Sequence, residues 1–595
     1  MRNKVFFVLL FISLSVSAQQ YKTETKSSGG FSYTTVTNDP LKARIYKLQN
    51  GLTVYMSVYK NAPRIQTYIA VRAGSKNDPA SVTGLAHYLE HMVFKGTSNI
   101  GTYNWAAEKP LLDKIEALYE TYRHTKDEEA RKKIYRQIDS VSGISATYAV
   151  ANEYDKMLSS IGAQGTNAYT WVEQTVYVND IPANELNRWA QIEAERFGEL
   201  VPRLFHTELE AVYEEKNRSL DNDMSKVIEA TFSALFPTHQ YGSQTTIGTV
   251  EHLKNPSIKE IKKYFSTYYV PNNMAICLSG DFDPDAAIKI ISQHFGKMVA
   301  RPIPAFKPHQ EPEITKPIEE TVTGPSPKSV TLCYRFPGAS SKEAMVMEMF
   351  SKVLSNGKAG VLDKNLIQKQ KVLSASVLPY RMKDYSINLV FANPREGQSL
   401  QEVKDLVLAQ IDSVKQGKFD EDLIKAIVNN EKIALIKSLE DNGSRADYFV
   451  DAFIKGINWA TYVAQLDDMA AITKKEIVEF ANKYYGNNYA VVYKEVGKDT
   501  TVKKVPKPSI TPVSVNRDKQ SNFYSLVMKK SPAPIEPVFL DFTKDLQVFK
   551  WKDKVDVWYK QNQENQLFEL MFHYKLGTGT DPKTALAINY LNYLG

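Results

Sequence analysis

The chain reads as an α+β protein made of repeated domains, each opening with strands and continuing with helices. Three observations carry that reading. Residues 52–56 and 66–71 are strand-like runs that precede long stretches of helical periodicity. The same order, strands first, recurs from about residue 329. Proline-rich stretches at about 298–325 and 498–537 separate the blocks and read as linkers. A length of 595 residues is too great for one core.

Taken in order, the first 18 residues have the form of a signal peptide. Arg2 and Lys4 precede an apolar run over 5–14, and small residues stand at Ser17 and Ala18, so cleavage is expected near Ala18–Gln19. That makes the protein exported, either periplasmic or secreted. No later run approaches the ~20 apolar residues of a transmembrane segment. The lack of a cysteine near the cleavage point argues against a lipid anchor. A polar, Ser/Thr-rich lead-in at 19–40 is expected to be flexible. A first domain is placed at 41–297. Asn50-Gly51 signals a turn before its first strand, and Gly74 and Asp78-Pro79 close its second. Residues about 100–155 read as a charged helical hairpin inserted into this domain, with apolar stripes through Ile115, Leu118 and Tyr119 and through Ile134, Ile138 and Val141. Two β-prone runs follow at 165–170 and 174–178, then a helix over 184–197, then a helix carrying Glu208, Glu210, Glu214 and Glu215. A second, non-catalytic domain is placed at 326–497.

Composition excludes several function classes. Hydrophobic residues make up 43 % and charged residues 24 %, as in an ordinary soluble globular protein. The net charge of +7 is spread over 74 basic and 67 acidic residues without a basic tract, which argues against nucleic-acid binding. The two cysteines, Cys277 and Cys333, sit in strand-like runs and read as buried free thiols rather than a disulfide. Neither has a histidine beside it in sequence, and no G-x-S-x-G occurs, so cysteine- and serine-hydrolase readings have no constellation to stand on.

The chemistry concentrates in His87-Tyr88-Leu89-Glu90-His91, an H-x-x-E-H pattern. On a helix, positions i, i+3 and i+4 share a face, so His87, Glu90 and His91 project together while Leu85, Leu89, Met92 and Val93 are free for burial. Two neutral imidazoles one turn apart suit one Zn²⁺, and Glu90 is placed to take a proton from a metal-activated water. The bland alternative is a surface helix that happens to carry two histidines and an acid. The tail, 538–595, repeats the start of the first domain. Val54-Tyr55, Gly74 and Asp78-Pro79 are matched at the same spacings by Val557-Trp558, Gly577 and Asp581-Pro582, but without histidine or glutamate at the motif. It reads as the incomplete start of a third, degenerate domain and the chain as a truncated product of a longer protein.

Together these pieces resemble the pitrilysin/insulysin family of zinc metallopeptidases. The run from Gly84 to Met92, the Asn167-Ala168-Tyr169-Thr170 and Gln174-Thr175-Val176-Tyr177 blocks, the glutamate helix and Val270-Pro271-Asn272-Asn273 carry the likeness. The resemblance implies that His87, His91 and Glu215 hold the metal, that Glu90 is the general base and that Glu208 supports the site from behind. It also implies domains of antiparallel sheet backed by helices, forming half of a clamshell-type peptidase whose other half is missing here. Asn167, Ala168 and Tyr169 would lie on an edge strand that takes an extended peptide. The expected activity is a zinc endopeptidase acting on peptides or unfolded segments in the cell envelope. The alternative is a non-catalytic peptide-binding or assembly subunit, especially for a truncated chain.

Overall fold

The computed structural model describes residues 20–500, 502–505, 510–513, 516, 518–529 and 531–591. The expected signal peptide lies outside the described residues. The chain divides into two units, up to Ile535 and from Glu536, each described by itself.

The first unit holds two sheets. The larger has eight strands: β1 (Thr23–Ser28), β2 (Phe31–Val36), β3 (Arg44–Lys47), β4 (Thr53–Val58), β5 (Arg64–Val71), β6 (Gln164–Thr170), β7 (Thr175–Pro182) and β8 (Met274–Gly280). Their order is β1-β2-β3-β4-β8-β5-β7-β6, antiparallel except for the parallel pair β4–β8. The smaller sheet has β9 (Ile318–Gly324), β10 (Ser329–Pro337), β11 (Ser374–Arg381), β12 (Tyr385–Asn393) and β13 (Tyr489–Val496) in the order β11-β12-β10-β13-β9. It too is antiparallel apart from one parallel pair, β9–β13.

Why β8 sits at the centre follows from its sequence. All seven residues of Met-Ala-Ile-Cys-Leu-Ser-Gly are buried, the near-continuous apolar pattern of a strand covered on both faces. Its Cys277, like Cys333 on β10, is a buried free thiol. One face of the sheet, with Val54, Ile65, Ile69, Ile276 and Leu278, packs on Leu85, Leu89 and Met92 of the helix Leu85–Val93. The other face, with Tyr55, Ala70 and Cys277, is covered by a helix from far along the chain, Asn442–Lys455. Its Phe449 stacks on Tyr55 with ring centroids 5.3 Å apart. Burying a side chain of this size stabilises by about 1.5–3 kcal/mol. Residues placed by sequence in a second domain therefore complete the core of the first.

Three expected boundaries are corrected. The lead-in at 19–40 is a β1–β2 hairpin joined to the sheet through β3, with Thr23 opposite Val36. Its Ser/Thr-rich pattern mimicked disorder because β1 is exposed on both faces. It is also pinned: the Trp459 indole donates to Asp39 Oδ2 at 2.8 Å. The stretch 298–325 is linker only in part, because Ile318–Gly324, with its β-branched residues, is strand β9. Within it Glu311 is buried and accepts from the Thr238 amide at 2.8 Å. Within 498–535 described segments likewise dock: Val505 is buried, its amide donating to Asn217 Oδ1 at 2.8 Å, and Asn522–Met528 is a helix with Val527 buried.

The second unit contains β14 (Gln547–Trp551) and β15 (Val555–Tyr559), an antiparallel pair with Val548 opposite Trp558, and a helix Thr584–Leu591. Among the described residues no helix is long and apolar enough to cross a membrane.

Candidate metal centre

The motif helix Leu85–Val93 begins at Gly84, whose φ of 88° places it in the left-handed region. A Cβ there would lie 2.7 Å from the Ile247 carbonyl oxygen, so glycine is required sterically as well. Gly84 brings no side chain to cap the helix. Asp78 supplies the cap from six residues upstream, accepting from the Gly84 amide at 2.7 Å and the Ala86 amide at 3.0 Å. Burial pushes the Asp78 carboxyl up to about 8, against the pull of those amides. Leu85, Leu89, Met92 and Val93 are buried, and the Tyr88 hydroxyl donates to the Phe205 carbonyl at 2.8 Å. With that face sealed, His87, Glu90 and His91 point away from the core, each half-buried.

The opposing wall is the helix Phe205–Asp221. His87 Nε2 lies 3.3 Å and His91 Nε2 3.5 Å from the same oxygen, Glu215 Oε2. Among the described residues His87, His91 and Glu215 form the one group of three that could hold a metal ion, with ligand atoms all within 4.8 Å of one another. Glu208, two turns earlier on that helix, contacts His91 Nδ1 at 2.8 Å and takes Lys95 Nζ at 2.5 Å. Glu214 is exposed on the same helix and stands outside the cluster.

The electrostatics explain what the cluster is fit to hold. Hydrogen bonds from His87 and His91 pull the Glu215 carboxyl far below the usual range, more than burial raises it. Burial would lower His91, but Glu208 and Glu215 outweigh it and raise the imidazole to about 9. Two carboxylates around two imidazoles leave the junction calling for positive charge, and a divalent cation meets that demand while displacing the proton. The donor set of two ring nitrogens and one carboxylate oxygen is that of a zinc site with an open position. His91 Nδ1 engaged by Glu208 leaves Nε2 facing the junction, the usual role of a supporting carboxylate. His87 Nδ1 is buried without a partner among the described residues.

The resemblance implied an edge strand at Asn167, Ala168 and Tyr169, and these residues lie on β6. β6 ends the sheet order, with Asn167 opposite Val178 and Tyr169 opposite Val176 on its one neighbour, β7. Asn167 is exposed and Ala168 packs towards the motif-helix core, whereas the Tyr169 ring lies on the opposite face among residues covered by Asn442–Lys455. The inserted hairpin, helices Trp105–His124 and Glu128–Ala146, braces the start of the glutamate helix. Tyr119 OH meets His206 Nδ1 at 3.0 Å, and His206 Nε2 meets Asp139 Oδ1 at 3.1 Å.

Sequence reasoning gave no role to Asp78, Lys95 or Thr170, nor to a buried ionic cluster beside the site. In that cluster Lys76 donates to Glu173 Oε1 at 2.7 Å and to Asp384 Oδ2 at 2.9 Å, and the Lys383 amide donates to Glu173 Oε2 at 2.9 Å. It ties the β11–β12 turn to the two loops that flank the motif helix and β6. Burial would raise the Asp384 carboxyl, but His239 and Lys76 outweigh it and hold it at about 2. Thr170, in the Asn167-Ala168-Tyr169-Thr170 block, was the nearest to a readable signal.

The family model described as insulinase (peptidase family M16) matches residues 54–108, and that described as the peptidase M16 inactive domain matches 257–431. The zinc protease PqqE of Helicobacter pylori is 24 % identical over 453 residues, 74 % of this chain and 89 % of that protein. Human insulin-degrading enzyme is 24 % identical over 289 residues, 46 % of this chain but only 23 % of the enzyme. Among solved structures, a protease from Helicobacter pylori superposes with a TM-score of 0.64 at 22 % identity, covering 76 % of this chain and 99 % of that one. The periplasmic protease PqqL from Escherichia coli gives a TM-score of 0.59 at 15 % identity, covering 86 % of this chain and 53 % of its own length.

Proposed function

We propose that this chain, which belongs to the insulinase family (peptidase family M16), is a zinc-dependent endopeptidase that hydrolyses peptides or unfolded segments in the cell envelope. The observation that carries the reading is the convergence of His87 and His91 from one helix with Glu215 from another, with Glu90 beside them. His87, His91 and Glu215 would hold the zinc, which when bound supplies Lewis acidity and lowers the pKa of a water towards ~7. Glu90 takes the proton from the attacking water and returns it to the leaving amine. Glu208, backed by Lys95, fixes the His91 ring. The free edge of β6 at Asn167, Ala168 and Tyr169 pairs with the peptide backbone, which favours extended, unfolded substrates. The export reading rests on the N-terminal sequence, together with the periplasmic location of the Escherichia coli protease that this fold resembles.

The test is zinc content together with cleavage of a quenched fluorescent peptide mixture by this chain and its Glu90→Gln variant. One zinc per chain, cleavage by the wild type and silence in Glu90→Gln is the expected pattern. A wild-type chain without zinc or cleavage would instead favour a non-catalytic peptide-binding or assembly subunit.

A further inference from the structure

The Glu90 carboxylate is not held by its own helix. Thr170, the last residue of β6, donates from Oγ1 to Glu90 Oε2 at 2.6 Å. A hydroxyl has one proton, and the other acceptor within reach of this one among the described residues is Thr175 Oγ1 at 3.3 Å. The shorter contact to a charged acceptor takes it. The Thr175 hydroxyl proton is committed elsewhere, to the Ala73 carbonyl at 3.0 Å. The backbone of Thr170 is fixed from both sides. It pairs with Thr175 in the β6–β7 register, and the adjoining turn is closed by the Trp171 amide donating to the Gln174 carbonyl at 2.9 Å. The Trp171 carbonyl in turn accepts from the Ser75 amide at 3.1 Å, on the loop that leads into the motif helix.

We propose that Thr170 is the positioning residue of the general base, holding one oxygen of Glu90 so that the other faces the attacking water. This rests on the peptidase reading above. It also joins two functions on one strand: β6 pairs with the peptide through its edge, and the end of the same strand sets the base.

The test uses the zinc-loaded protein with Thr170→Val, which keeps the shape and removes the donor, and Thr170→Ser, which keeps the donor. Steady-state kcat and KM are read on the quenched peptide, with zinc stoichiometry by metal analysis. Peptide Kd is read in a Glu90→Gln background with and without Thr170→Val. Expected is a fall in kcat of roughly 10- to 100-fold for Thr170→Val, with KM, Kd and zinc content changed by less than about threefold, and recovery of most of the loss in Thr170→Ser. A Thr170→Val kcat equal to that of the wild type overturns the proposal. So does a loss shared equally by Ser and Val, or one matched by lost zinc or peptide binding, since either marks a merely structural role. A wild-type protein that binds zinc and cuts nothing sinks the peptidase reading itself, which separates the two failures.

Discussion

Five strands of the first sheet and the whole of the second have one topology. β4, β8, β5, β7 and β6 correspond in order and direction to β9, β13, β10, β12 and β11, including the single parallel pair in each. Each core also places a helix after its second strand. In the first it is the motif helix; in the second it is Lys342–Leu354, whose Val346, Met347, Phe350, Val353 and Leu354 are all buried. In the second core Asn388 donates to Ser351 at 3.0 Å and to Tyr485 at 2.6 Å, and among the described residues no group of metal-ligating side chains gathers there. In the first core His87, His91 and Glu215 converge on a point between two helices. The architecture is the same either way, and the difference is a handful of side chains. Such a gathering of ionisable groups belongs to functional sites, where local consistency gives way.

That contrast can be broken most directly at the base. Glu90→Gln should lower peptide hydrolysis by about 10²–10⁴-fold while zinc stoichiometry, read by metal analysis, stays at the wild-type level. Next comes the support: Glu208→Gln should weaken zinc binding by about 10–100-fold in a competition titration with a chelator, because the His91 ring loses its anchor. The dependence of one core on the other can be tested at Phe449→Ala, expected to cost about 3–5 kcal/mol in denaturant unfolding, since it empties the contact with Tyr55. Retention of full stability would show that the helix Asn442–Lys455 is dispensable to the first sheet. The smallest effect concerns the ionic cluster that joins the two turns. Asp384 is depressed to about 2, so its contribution is present above the unfolded carboxylate value of ~3.9 and fades as pH falls through about 2. The gap in urea midpoint between wild type and Asp384→Asn should be constant near neutrality, shrink below about pH 4 and close near pH 2.

Much of this was legible because it is local. The spacing of His87, Glu90 and His91 fixes their common face through helix geometry alone, and the apolar run around Cys277 reads as a strand. The wrong boundaries were those where composition misled: Ser and Thr in β1 and β2 read as a flexible lead-in, and proline-rich flanks hid β9. The repeat seen in the sequence paired the first domain with the tail, whereas the topological repeat within the first unit is carried by strand order, which leaves little trace in residue identities.

The sequence by itself determined which residues share the motif face and that the runs around Cys277 and Cys333 are strands. Only the tertiary structure decided that Asp78 caps the motif helix, that Thr170 holds Glu90 from 80 residues away, and that Asn442–Lys455 closes the first core. Helix and strand periodicities are properties of neighbouring residues. A hydrogen bond or packed face between distant segments exists only once the whole chain has closed around it, and no short-range pattern encodes it.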